Sequence, residues 1–173
     1  MSSLNITTES AVRRSSLLPS ERDTGGRQPV YLHPGHLHVG TQSYPAAINC
    51  MLGSCVEVCL WDRKLKIGGA VHYMLPGDQG NPGPNTGFQG IRDLVFAILN
   101  AGANQSNMVA KVFGGSCMLP ELRHSHIGDR NVRAAYSCLK DLRIAIINED
   151  VGGERGRKVT FFTDTGEIGL RLV

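Results

Sequence analysis

Cys55 and His72 are the residues of this chain whose types and placement best suit covalent chemistry. Around Cys55 the residues alternate, with Val56, Val58 and Leu60 on one face and Cys55, Glu57, Cys59 and Trp61 on the other. The charged stretch Asp62-Arg63-Lys64 then leads into a second extended run, Ile67 to Met74, and the two runs read as a β-hairpin. If Arg63 and Lys64 form a two-residue turn, counting back along both strands sets Cys55 opposite His72. Their Cβ atoms would then lie about 5 Å apart on one face. An imidazole beside a thiol lowers the effective pKa of the sulfur and can later protonate a leaving amine. The same pattern also fits a core cysteine packed on a buried, satisfied histidine. Gly53 and Ser54 carry small side chains, so a carbonyl can approach and backbone N–H groups can cradle an oxyanion. Gly68 and Gly69 would likewise leave room over the site.

The other chemically suggestive residues fit weaker patterns. The cysteines are Cys50, Cys55, Cys59, Cys117 and Cys138, an odd number that argues against a disulfide framework. A zinc site built from Cys50, Cys55, Cys59 and His72 would have C-x4-C and C-x3-C spacing with no second paired cluster. His33, His36 and His38 read as a solvated strand edge, and His124 and His126 as loop residues. Gly152 to Lys158 lacks the spacing of a phosphate loop, and Arg155, Arg157 and Lys158 read as a basic turn suited to an acidic protein surface or as a solvated loop.

The elements that must position these residues point to an α+β fold, a single layered domain with a mixed or antiparallel sheet and two main helices. Helical periodicity runs through Phe88, Ile91, Leu94, Val95, Ile98 and Leu99, with Gly102 as a stop. A second stripe, Val132, Ala135, Tyr136, Leu139 and Leu142, follows Asp129 as a candidate cap. Strands are expected at Met108–Phe113, Ile144–Ile147, Val159–Thr163 and Ile168–Val173. Pro76 to Gly87 reads as an irregular loop. We expect residues 1–28 to be a flexible polar tail and residues 29–173 to be the domain.

Composition excludes several classes. With 21 glycines and 8 prolines in 173 residues, the chain exceeds the usual share of roughly 12%, which argues against long helical bundles. A net charge of +3 is too mild to argue for a nucleic-acid partner. No run of residues has the roughly 18 apolar positions a membrane span requires, and residues 1–30 lack the apolar core of a signal peptide. A cytoplasmic protein with no membrane insertion is the expectation.

Several motifs together resemble the CheD family. They are Leu52-Gly53-Ser54-Cys55-Val56, Gly68-Gly69-Ala70-Val71-His72, and Met74-Leu75-Pro76. Lys111-Val112-Phe113-Gly114-Gly115-Ser116 with Met118, then Ile127-Gly128 and Arg130-Asn131, continue the match in order. Gly152-Gly153-Glu154-Arg155-Gly156-Arg157-Lys158 and Thr165-Gly166 complete it, so the likeness covers about residues 30 to 170. The resemblance implies a glutamine deamidase acting on methyl-accepting chemotaxis receptors, similar in fold to deamidases of the cytotoxic necrotising factor type. It puts Cys55 on the nucleophile and His72 on the general base, with no metal or organic cofactor. Many members also bind a CheC-type phosphatase.

The chain departs from the family pattern at Asn49 and Cys50, where threonines are common. An asparagine side chain can accept a hydrogen bond from an imidazole N–H, so Asn49 is expected to orient His72. Phe88-Gln89-Gly90-Ile91 also departs, from an Arg-Tyr-Gly/Ala-Asp helix opening. These departures leave a second expectation open, a non-catalytic module that binds receptors or a CheC-type partner. A third is thiol redox sensing through Cys55 and Cys59, although their spacing is not C-x-x-C.

Overall fold

The computed structural model describes residues 24–78, 80, 83 and 85–173. Nine strands and two α-helices alternate along them: β1 Gln28–Tyr31, β2 His36–Gly40, β3 Ala46–Leu52, β4 Val56–Asp62, β5 Ile67–Tyr73, α1 Gly87–Asn100, β6 Met108–Gly114, α2 Ile127–Asp141, β7 Ala145–Val151, β8 Arg157–Phe162 and β9 Ile168–Leu172. They build two sheets, one ordered β1-β3-β8-β9 and the other β2-β5-β4-β6-β7. Both sheets are mixed: β1 runs parallel to β3, and β6 parallel to β7 through the α2 crossover. The layered α+β class expected from the sequence is the one observed.

Alternate residues of the central strands pack into two different cores. Val56, Val58 and Leu60 of β4 pack with Ile91, Leu94 and Ile98 of α1 and Ala135 and Leu139 of α2, forming the helix-side core. On the other face of that sheet, Cys59, Ala70 and Phe113 pack against Ile48, Val159 and Phe161 of the second sheet. The result is three layers, sheet on sheet on helices.

The β4–β5 register differs from the expected one. Asp62 pairs with Ile67, so the turn spans Arg63 to Lys66, and His72 stands opposite Glu57 instead of Cys55. The cause is Asp62, whose Oδ1 accepts the backbone N–H groups of Lys64 and Leu65 at 2.9 and 3.0 Å and widens the turn. A shift of two residues preserves the face, so Cys55 and His72 still point into the space between the sheets.

Other differences are local. β3 lies on residues where no strand was expected; it is buried along both faces except at Met51, so its pattern shows no alternation. Helix α2 is not capped by Asp129, which sits in its first turn, and its N-cap is His126 at a φ of 47°. The end of the expected tail belongs to the fold. Gln28 is in β1, and Arg27 holds Asp164 at 2.6 Å with its guanidinium 4.9 Å from the Phe162 ring. Residues 1–23 of that tail lie outside the described residues.

Candidate active site

Cys55 is placed by a crossing between layers. β3 belongs to one sheet and β4 to the other, so Gly53-Ser54-Cys55 carries the chain across the mouth of the inter-sheet space. Three successive carbonyls in this crossing are held from outside. Gly53 O accepts from Ser116 N and Oγ at 2.8 and 2.9 Å, and Cys55 O accepts from Gly115 N at 2.8 Å. Ser54 O accepts from Asn131 Nδ2 at 2.9 Å. The Gly114-Gly115 turn can approach only because it lacks side chains: Gly114 has a φ of 108°, and a Cβ there would run into the Cys55 carbonyl.

Asn131 is the tie that the sequence reading missed as a site residue. It is fully buried on α2, and its Nδ2 also donates to Met74 O at 2.8 Å, just beyond β5. One amide thus fixes the Cys55 crossing relative to the end of the strand that carries His72. The available sequence signal was a polar residue beside Val132 on an otherwise apolar helix face.

His72 is buried, and its two ring nitrogens have different surroundings. Nδ1 lies 3.0 Å from the carbonyl of Leu32 and 3.2 Å from Cys50 Sγ. A carbonyl can only accept, so Nδ1 carries the proton and Nε2 keeps its lone pair. Nε2 is buried with no hydrogen-bond partner among the described residues. Burial lowers the histidine pKa below its usual value; the Leu32 carbonyl opposes this and His33 adds to it. Cys55 sits just before β4 and is partly buried against the core between the sheets, the space that His72 also enters.

The expected role of Asn49 needs correction. Its Nδ2 donates to Ala47 O at 3.0 Å and Val30 O at 3.4 Å, and its Oδ1 accepts from Thr160 at 2.8 Å. Its hydrogen-bonding capacity is used within the four-stranded sheet, and the Leu32 carbonyl holds the imidazole instead. Gly68 and Gly69 are also reassigned. A Cβ at Gly68 would meet Thr163 and Phe161, and one at Gly69 would meet the His38 carbonyl and Leu94, so both serve packing away from Cys55. Arg157 is no docking cation either: it is buried, bonds Asp150 at 2.6 Å and donates to Ser116 Oγ at 3.2 Å.

Burial raises the pKa of Cys50, Cys55, Cys59 and Cys138. Burial pushes the half-buried Cys55 up, with its own backbone N–H pulling the other way. Burial raises Cys50 as well, helped by Glu57 and Cys55. Glu57, directly across from His72, is fully buried. Burial pushes its pKa up to about 8, the Cys59 thiol working against it. Among the described residues no three of His, Cys, Asp and Glu converge as a metal site.

Beside the Cys55 crossing lies a cavity of about 410 Å³, bordered by Ser54, Gly115, Met118, Leu119, Ile127 and Gly153. No helix among the described residues is long and apolar enough to cross a membrane.

Comparison with known proteins adds the following. A family described as CheD chemotactic sensory transduction matches residues 74–172. A protein of Anaeromyxobacter dehalogenans named probable chemoreceptor glutamine deamidase CheD 1 is 41% identical over 149 residues, covering 85% of this chain and 86% of its own. Another of that name, without the numeral, from Trichlorobacter lovleyi is 38% identical over 154 residues, covering 87% and 94%. A Neisseria meningitidis protein of the DUF152 family, NMB0706, is similar in structure with a TM-score of 0.47 and 14% identity, over 96% of this chain and 81% of that one.

Proposed function

The chain belongs to the CheD family, and from that membership we propose that it is a deamidase converting glutamine side chains of methyl-accepting chemotaxis receptors to glutamate. The observation that carries the assignment of roles is the division of the His72 ring, with Nδ1 held by Leu32 and Nε2 bare in the space that Cys55 also faces.

In the proposed reaction, Nε2 accepts the thiol proton as Cys55 Sγ attacks the carboxamide carbon. Burial holds the Cys55 pKa up, so in this proposal the base acts during attack, as in serine–histidine sites. With the carbonyls of Gly53, Ser54 and Cys55 turned outward, the N–H groups of Ser54 and Cys55 are the donors available to the developing oxyanion. The imidazolium returns its proton to the departing nitrogen and ammonia leaves. Nε2 then takes a proton from water, whose oxygen attacks the thioester, and the tetrahedral species collapses to glutamate as the imidazolium returns that proton to the departing Cys55 sulfur. The Leu32 carbonyl steadies the imidazolium in both half-reactions.

The substrate glutamines would lie on the cytoplasmic part of the receptors, so the proposal places the protein in the cytoplasm. A CheC-type phosphatase enters the proposal as a binding partner. A non-catalytic reading draws on Asn49, which makes no bond to His72. Ammonia release from a receptor cytoplasmic fragment separates the two. The wild type should release it, and Cys55→Ala and His72→Ala should not; release by Cys55→Ala at the wild-type rate would overturn the assignment.

A further inference from the structure

The cavity beside the Cys55 crossing has no role in the chemistry just described. It adjoins Cys55 through that residue's own neighbours: Ser54 precedes it in the chain, and Gly115 donates its N–H to the Cys55 carbonyl. A side chain entering the cavity would therefore lie against the crossing that carries Cys55. On a helix, residues three or four apart are 5–6 Å apart at Cβ and point the same way.

Two further observations decide what kind of segment fits. The walls carry Met118 and Leu119, which are 53% and 55% exposed, and Ile127. Large apolar side chains left this open at the rim of a concave surface suit another protein's apolar side chain, and methionine adapts its shape to it. Two backbone pairings close one side of the cavity. Gly152 N donates to Gly114 O, and Cys117 N donates to Gly153 O, each at 2.9 Å. An extended peptide would find no free strand edge among these groups, whereas a helix brings its own hydrogen bonds.

We infer that this cavity is a specificity subsite that takes an apolar side chain of a substrate helix, three or four positions from the glutamine presented to Cys55. The inference rests on the deamidase reading. A protein substrate has to cover the flanks of Ser54 and Cys55 to bring its glutamine in, so the occupant is the receptor segment itself.

The test uses the full chain and a receptor cytoplasmic fragment, with ammonia release as the rate. Met118→Glu and Leu119→Glu change exposed positions and should fold. Each should raise KM for the fragment about tenfold with a smaller change in kcat. Alkylation of Cys55 by iodoacetamide should proceed at the wild-type rate, and Phe96→Glu, on the exposed face of α1, should leave KM unchanged. Placing aspartate three or four positions from the reactive glutamine should raise KM for the wild type, with little further effect in Leu119→Glu. An unchanged KM in both cavity variants would overturn the subsite, as would a rise fully additive with the substrate change. A wild type that alkylates at Cys55 but releases no ammonia would overturn the deamidase reading instead.

Discussion

The Leu32 carbonyl decides which nitrogen of His72 carries the proton, and burial decides that the ring is neutral. Because its folded-state pKa is depressed, His72 stays in the basic form down to a pH below the ordinary histidine value of 6.5. The acid limb of kcat/KM is therefore expected below that value, measured as ammonia release across pH. The sign for stability follows: below 6.5 the unfolded chain binds a proton the folded one resists, so His72 costs stability as pH falls. Glu57 works at the other end of the range. Its folded pKa of about 8 stands above the ordinary 4.5, so the folded state loses stability as pH rises from 4.5 through 8. Glu57→Gln should remove that loss, and the variant should be more stable than wild type at pH 8 and close to it at pH 4, as read by urea denaturation. Two asparagines separate positioning from packing. Asn49→Ala should cost about 1–3 kcal/mol of stability, because it leaves polar partners in the sheet unpaired, while kcat changes little. Asn131→Ala should lower kcat about 100-fold, because it frees both the Cys55 crossing and the end of β5.

At the scale of elements, the site is a junction where one strand leaves its sheet and another begins in the facing sheet. Gly114 shows how tight that junction is. Gly114→Ala would place a side chain at a φ of 108° against the Cys55 carbonyl, and we expect loss of about 1–3 kcal/mol together with most of the ammonia release. Much of this scale was legible in the sequence. The helices showed their period in Ile91, Leu94 and Ile98 and in Val132, Ala135 and Leu139, and alternation set Cys55 and His72 on one face. The register was not legible, because it depended on a buried aspartate drawing two backbone N–H groups into a longer turn. β3 was hidden for a different reason: a strand covered on both faces has no alternation to read. The same concealment led to the misassignment of Asn49, two of whose partners lie on β1 and β8, far from it in sequence.

Across the whole molecule, the two sheets make different contributions to one site. The helix-backed sheet supplies His72 and Glu57 from the β4–β5 pair and Gly115 from beyond β6. The other sheet supplies Cys50, while Leu32, just past β1, supplies the carbonyl that fixes the imidazole. Helix α2 contributes Asn131 and, with its first turn, a wall of the neighbouring cavity. This division explains why the sequence could propose the Cys55–His72 pair but not its supports, since each support comes from a layer the hairpin does not contain. The central claim is that Cys55 carries the glutamyl group during turnover. Its most direct test is rapid acid quenching of the enzyme with receptor fragment, followed by peptide mapping of the covalent adduct by mass spectrometry. The account predicts a receptor glutamyl peptide joined to Cys55 with loss of one ammonia, and no adduct in Cys55→Ala. An adduct at Cys117 or at another residue, or full conversion of the receptor glutamine by Cys55→Ala, would contradict it.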